Sequence, residues 1–269
     1  MVLCCEDFAN KIKKESKKYI DSLNGKRRPT LCVIQVGDNP ASNSYIRGKK
    51  KDCNEVGIEF IHHHIKDESV TQEHLISVIE SYNNREDVDG IIVQLPLPKH
   101  IDENVVCNCV IPSKDVDGFN KNSSFTPCTP KGILRILDEC EVDLVGANCV
   151  MVGSGRVGRP TGELLMNRKA TVTFCNSKTE WLRDHTYYAD VVIVATGHPH
   201  TINKNMISDE TLIIDVGINR DENGKLFGDV DRDFDDEPYI FVTPVPGGVG
   251  LMTRACLVEN VIEAYKNRC

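Results

Sequence analysis

The sequence predicts an α/β protein built from two successive domains, each a parallel sheet covered by helices. Three observations predict it. Short apolar runs of strand length alternate with stretches of helical spacing, first over residues 6–95 and again over 131–266. That order favours parallel strands, because a helical crossover returns the chain to the same end of the sheet. One of the apolar runs, Asn148–Val152, leads directly into a glycine-rich turn and then a helix. Finally, 269 residues with 40% apolar side chains suffice for two modest cores.

Each element follows from local pattern. Phe8, Ile12, Tyr19 and Leu23 recur near one face, so 6–24 is a helix. Residues 31–36 form a strand ended by the turn 37–40. A helix over 44–56 stops at Gly57, which suits a left-handed cap. Residues 58–65 are a strand, 71–83 a helix, and 90–95 a buried strand closed by two prolines. The polar, proline-containing stretch 118–130 marks the boundary. Beyond it come a helix (131–139), the strand Asn148–Val152, a helix (159–167), a strand (170–175) and a short helix (180–187). Two further strands (191–195 and 212–216), a hairpin turn at Asn223-Gly224 and an amphipathic helix (252–266) complete the chain.

Composition excludes several classes. Forty acidic against 32 basic residues give a net charge of −8, which argues against a nucleic-acid binder. No apolar run approaches the ~18 residues of a membrane span. The segment MVLCCEDFAN has no basic stretch ahead of an apolar one, so it is not a secretory signal. Twelve cysteines are scattered without a C-x-x-C pair, as expected of thiols in a reducing cytoplasm.

The sharpest local signal is Gly153-Ser154-Gly155-Arg156-Val157-Gly158 between a strand and a helix. In G-x-G-x-x-G the first glycine makes the tight turn. The second admits a pyrophosphate to the backbone, and the third lets helix and strand pack closely. The N–H groups at the helix start then face the phosphates. This identifies the second domain as a Rossmann-type dinucleotide-binding domain, with a ligand cleft expected where the two domains meet. The next strand ends at Cys175-Asn176-Ser177-Lys178, with no carboxylate before Glu180. A carboxylate there would hold a free ribose 2′-hydroxyl. Ser177, Lys178 and a nearby arginine suit a 2′-phosphate instead, so NADP is expected over NAD. In the first domain, Tyr45 and Lys49 stand four apart on a helix and share a face, with Ser42 on the turn before it.

Several segments resemble the methylenetetrahydrofolate dehydrogenase/cyclohydrolase family in order and spacing. They include ASNSYIRGKK (41–50), GIIVQLPLPKHI (90–101), PSKDVDGFN (112–120), PCTPKGI (127–133), ADVVIVATGHP (189–199), IIDVGIN (213–219), GDVD (228–231) and TPVPGGVGLMT (243–253). The resemblance implies a folate-binding catalytic domain over 1–120, completed by 244–269, and a nicotinamide-cofactor domain over 121–243. It implies oxidation of 5,10-methylenetetrahydrofolate to the methenyl cation with NADP, NAD being the alternative cofactor. It also implies hydrolysis of that cation to 10-formyltetrahydrofolate. Lys49 would be the acid–base residue, Gln94 its partner, Tyr45 a surface for the folate and Asp117 the group on the polar edge of the pterin. Ser42 and the loop residues Pro246, Gly247 and Gly248 would complete the folate site. Gly153, Ser154, Gly155, Arg156, Val157, Gly158, Ser177, Thr196, Gly197, Gly217 and Ile218 would hold the cofactor. A cytoplasmic homodimer acting in one-carbon metabolism and supplying purine biosynthesis is implied as well, with no metal, nucleic-acid or membrane partner.

The oxidation moves a hydride from a carbon between two nitrogens, so it chiefly needs orientation. Hydrolysis moves protons, and there Lys49 would act. Gln94, an amide, would position that lysine without adding a charge.

The sequence departs from the family pattern in three places. Its phosphate turn is one residue shorter than the usual G-R-S-x-x-V-G and lacks that arginine, leaving Arg156 or Arg159 as the substitute. Asn176 stands where histidine is common, and Leu251 replaces a proline. Two other readings remain: a monofunctional, NAD-dependent dehydrogenase of the family, and a non-catalytic folate- or nucleotide-binding protein. Intact Lys49 and Gln94 argue against both.

The remaining polar clusters point to structure. His62, His63 and His64 alternate between the faces of a strand and do not converge on one ion. Cys107 and Cys109 would share a face if extended. Cys128 reads as a small buried hydrophobe and Asp115 as a turn or cap residue. The sequon Asn122-Ser123-Ser124 would be idle in the cytoplasm.

Overall fold

The structure, a computed structural model, describes residues 4–231 and 239–268. In chain order the elements begin α1 (Cys5–Asp21), β1 (Thr30–Val36), α2 (Pro40–Val56), β2 (Glu59–Ile65), α3 (Gln72–Asn83), β3 (Gly90–Val93) and α4 (Glu103–Asn108). There follow α5 (Cys128–Glu139), β4 (Asn148–Val152), α6 (Gly158–Asn167), β5 (Thr171–Cys175), α7 (Leu182–Thr186) and β6 (Val191–Val194). Then come β7 (Leu212–Asp215), β8 (Asn219–Arg220), β9 (Leu226–Phe227), β10 (Phe241–Val242) and α8 (Val249–Lys266). The chain divides into two compact units: Asn10–Cys128 with Arg254–Cys269, and Met1–Ala9 with Thr129–Thr253.

The first unit, the catalytic unit below, is built on the parallel sheet β2-β1-β3. Its central strand, β1, is buried at all seven positions. Leu31 and Val33 face one side, where they pack with Ile46, Cys53 and Val56 of α2 and Leu257, Val258 and Val261 of α8. Cys32, Ile34 and Val36 face the other, against Leu75 and Ile79 of α3 and Val106 of α4. A parallel sheet needs such covering on both faces. The continuous apolar run of β1 is its sequence signature.

The second unit, the cofactor unit, carries the five-stranded parallel sheet β10-β7-β6-β4-β5. β4, β6 and β7 are central, and β6 and β7 are fully buried. The hairpin β8–β9 closes around Asn223-Gly224 as predicted. Among the described residues, no helix is long and apolar enough to cross a membrane.

The start of one helix needs correction. α2 begins at Pro40 rather than at 44, because Asn39 caps it: its side chain accepts from Ala41 N at 2.9 Å and Ser42 N at 3.1 Å. Proline suits the first helical position, so the dipeptide that reads as a turn is a helix start. Ser42 therefore lies in the first turn of α2, not before it. Cys107 and Cys109 are not extended. Cys107 is in α4 and Cys109 is its C-cap, a six-residue helix capped by Asp102 that periodicity is too short to reveal.

The histidines do alternate. His62 Nε2 bonds Gln35 Oε1 at 2.9 Å and His64 Nε2 bonds the Gly37 carbonyl at 2.9 Å, while His63 Nδ1 meets the Tyr82 hydroxyl at 3.0 Å. Among the described residues no group of three His, Cys, Asp or Glu side chains could hold a metal ion. Cys128 is buried, and its thiol donates to the Val116 carbonyl at 3.1 Å.

Asp89 anchors the sheet at the start of β3. Its fully buried carboxylate accepts from Arg27 Nη1 and Nη2 at 2.6 and 2.7 Å and from Thr30 N at 2.9 Å. Replacing Asp89 with Ala strands those donors and should cost about 3 kcal/mol of unfolding free energy. Urea titration reads the loss, and a change under about 0.5 kcal/mol, the surface-substitution range, would contradict it.

Candidate active site

In the catalytic unit the site is set by α2 and the segment after β3. With its start fixed by Asn39, α2 places Ser42, Tyr45 and Lys49 at spacings of three and four, on one face. Lys49 is only 8% exposed, an unusual place for a lysine. Its Nζ donates to Gln94 Oε1 at 3.1 Å. Gln94 follows β3 directly, its own N–H donating to the Ile34 carbonyl at 2.8 Å. Its Nε2 donates to the Leu95 carbonyl at 2.7 Å, and Ser42 Oγ donates to that same oxygen at 3.2 Å. Because the amide nitrogen is held there, the amide oxygen must face the lysine. Ser42, Lys49 and Gln94 thus form one connected cluster, with half-buried Tyr45 on the same helix face.

A neighbouring carboxylate is kept occupied. Buried Asp52, one turn beyond Lys49, takes Arg254 Nε at 2.5 Å and Lys13 Nζ at 3.7 Å. Lys49 is therefore left with a neutral partner. Sequence reasoning missed Arg254, since nothing local marks a residue 202 positions from its partner.

Asp117 lies outside that cluster. It is half-buried, and its backbone carbonyl accepts from Cys128 N at 3.3 Å. Asp115 differs: it is buried and accepts from Asn120 N at 2.8 Å. Burial pushes its carboxyl up to about 6, against the hydrogen bonds from Asn120 and Ser123 that pull it down. That environment fits a loop-holding role.

In the cofactor unit the glycine turn follows β4. Gly153 sits at φ +107°, and its N–H donates to the Cys175 carbonyl at 2.8 Å. A Cβ on Gly153 would come within 2.3 Å of the Ala195 carbonyl oxygen, and one on Gly158 within 1.9 Å of the Gly153 carbonyl oxygen. Both positions require glycine. Gly155 has nothing within 4 Å of its Cβ position, which leaves open space over the turn. Ser154, Gly155 and Arg156 are exposed, and no side chain caps the start of α6 at Val157. The turn is an uncapped cradle of the kind a pyrophosphate fits.

The loops after β6 and β7 carry the remaining predicted cofactor residues, and one buried carboxylate organises them. Asp229 Oδ2 accepts from Thr196 N, Thr196 Oγ1 and Gly197 N, each at 2.8 Å. Its Oδ1 accepts from Asn219 Nδ2 at 2.8 Å. Asp215 in turn accepts from Gly217 N at 2.9 Å, Asp229 N at 3.0 Å and Val230 N at 3.1 Å. The Thr196 and Gly197 amides are thus engaged within the protein, while Ile218 is 49% exposed. Asp215 and Asp229 are the residues sequence reasoning missed. The motifs IIDVGIN and GDVD contain them, but burial of a carboxylate has no local signature. Ser177 is exposed beyond β5, and Pro246, Gly247 and Gly248 lie in the turn preceding α8.

Fold and site together define an α/β protein with a buried lysine–amide pair in one unit and a dinucleotide-binding glycine turn in the other. The chain belongs to the tetrahydrofolate dehydrogenase/cyclohydrolase family: the catalytic-domain model matches residues 3–117 and the NAD(P)-binding-domain model residues 127–269. It is 47% identical to the bifunctional protein FolD of Bacillus licheniformis over 88% of this chain and 87% of that one. The crystal structure of the bifunctional FolD dehydrogenase/cyclohydrolase from Campylobacter jejuni superposes with a TM-score of 0.95 at 41% identity, covering 100% and 99% of the two chains. The Trypanosoma brucei dehydrogenase-cyclohydrolase, complexed with NADP and inhibitor, gives 0.92 at 31% identity over 99% and 97%.

Two outcomes follow from the cofactor unit. Gly158→Ala must push the turn open and should weaken NADP binding about tenfold or more, measured by calorimetry; unchanged affinity would contradict the role of the close approach. Burial also pushes Asp215 up to about 6, opposed by the backbone N–H groups of Asp229, Gly217 and Val230. A carboxyl whose folded value lies above its unfolded 3.8 stabilises fully below that pH and loses this contribution as pH rises to about 6. The difference in stability between the protein and its Asp215→Asn variant should fall across that window and stay flat above it. A difference that grows from pH 4 to 6 would contradict the assignment.

Proposed function

We propose that the chain oxidises 5,10-methylenetetrahydrofolate to the 5,10-methenyl form with NADP and hydrolyses that product to 10-formyltetrahydrofolate. The observation that carries the reading is Lys49 Nζ held at 3.1 Å by Gln94 Oε1 in a buried setting. A dehydrogenase alone has no need of a positioned proton carrier; a cyclohydrolase does.

The chain's own residues fit NADP. Gly153, Gly155 and Gly158 shape the cradle, Ser154, Arg156 and Val157 complete its rim, and Ser177 lies beyond β5. Thr196, Gly197, Gly217 and Ile218 belong to the loops that Asp215 and Asp229 hold rigid. When bound, the nicotinamide supplies the hydride acceptor. The reacting carbon lies between two nitrogens whose lone pairs stabilise the developing cation, so this half-reaction needs orientation more than acid or base.

Hydrolysis calls on Lys49. Water adds to the methenyl carbon and loses one proton; the carbinol so formed loses its hydroxyl proton as the C–N bond opens, and of these two protons one ends on the freed nitrogen and the other is released to solvent. Lys49 Nζ takes and returns the proton that ends on nitrogen, with Gln94 and Ser42 fixing its direction. Tyr45 offers its ring to the folate and Asp117 its carboxylate to the donor edge of the pterin. Pro246, Gly247 and Gly248 line the folate loop. The protein acts as a cytoplasmic homodimer, and its formyl product serves purine biosynthesis.

Lys49→Met should reduce methenyl hydrolysis by about two to four orders of magnitude, the usual worth of a positioned acid–base group, while folate still binds. Undiminished hydrolysis would refute the assignment.

A further inference from the structure

Two arginines stand near the shortened turn, and the structure separates them. Beside the turn a surface depression is lined by Ser154, Arg159, Glu163, Met166, Phe174 and Asn176. It lies along the side of α6 that faces β5, next to the end of β5. In a Rossmann-type domain the ribose of the adenosine half is read at that strand end. Arg156 does not line the depression and already makes a contact of its own. Arg159 lines it from the first turn of α6, and its exposed guanidinium has no ion pair among the described residues. The arginine at the far end of this helix, its C-cap Arg168, is committed to Asp138 at 3.0 Å.

The rest of the lining suits an adenosine phosphate. Asn176 follows β5 with an amide where a carboxylate would favour a free hydroxyl. Met166 and Phe174 are 47% and 36% exposed, an apolar floor beside a cation. One residue opposes a phosphate: Glu163, four positions after Arg159 on the same helix face.

We propose that Arg159 is the specificity-determining cation for the cofactor, pairing from α6 with the 2′-phosphate of NADP in this depression in place of an arginine within the glycine turn. The inference rests on the NADP-linked reading above. A guanidinium pairs a phosphate through two parallel N–H···O bonds, and the charge-assisted contact is absent for the 2′-hydroxyl of NAD. Glu163 limits the gain, so the depression holds a tuned selectivity.

Calorimetry on the full chain without folate tests this, with adenosine 2′,5′-bisphosphate and 5′-AMP as probes. Arg159→Gln should weaken the bisphosphate about 10- to 100-fold and leave 5′-AMP unchanged, with Arg159→Lys recovering part of the loss. Glu163→Gln should tighten the bisphosphate several-fold and not 5′-AMP. Arg168→Gln, a charge change on the same helix, should alter neither. In turnover, KM for NADP should rise in Arg159→Gln while KM for NAD does not. Wild-type bisphosphate affinity in Arg159→Gln, or its loss in Arg156→Gln with Arg159 intact, overturns the proposal and leaves the NADP reading standing. A wild-type protein that binds NAD but neither NADP nor the bisphosphate overturns both.

Discussion

Burial of β1 on both faces is the constraint on which the catalytic unit depends. A strand with seven buried residues has no solvent side, so helices must cover both faces, and only parallel crossovers deliver them there. The same rule shapes the cofactor unit through β6 and β7. Parallel strands all end at one edge of their sheet, and ligands of such folds bind at that edge. Gln94 follows β3, the glycine turn follows β4, Asn176 follows β5, Thr196 follows β6 and Gly217 follows β7. The chemistry-bearing residues are therefore where strand direction puts them.

The lysine–glutamine pair shows how a charged group is kept in a buried setting. An ion pair would hold Lys49 more tightly, but would commit its charge. A carboxylate is close at hand in Asp52, and the fold diverts it to Arg254 and Lys13. The amide that remains is oriented by a carbonyl it shares with Ser42, so its oxygen has one direction available. A lysine with one fixed acceptor retains two further N–H bonds.

The sheets and most helices were legible because apolar periodicity is local. Asn148–Val152 was bounded to the residue, and Gly57 ended α2 as a left-handed cap should. Asn39-Pro40 was misread because the same dipeptide starts turns and helices. α4 escaped because six residues carry less than two periods. In the site, Lys49, Gln94 and the glycine turn were named through motif and resemblance, whereas spacing alone would have left Lys49 among its basic neighbours. Arg254, Asp215 and Asp229 were invisible for one physical reason: each acts through a partner distant in sequence, and a polar residue looks the same in sequence whether buried or exposed.

The two buried aspartates hold the loops of the cofactor unit without help from the altered phosphate turn. Loops after β6 and β7 have backbone N–H groups without ladder partners, and these must be satisfied. Asp229 takes two of them, and Asp215 takes one together with the N–H groups of Asp229 and Val230 beyond β9, which fixes both loops independently of the turn. Within the turn, only Gly153 and Gly158 are dictated by collisions, with the Ala195 carbonyl and with each other's backbone. The position between them, at Gly155, faces open space. Length and side chains can therefore change there without disturbing the cradle. What a shorter turn gives up is a platform for a cation, and the nearest rigid replacement is the first turn of α6, a helix locked against β4 by the contact that makes Gly158 obligatory.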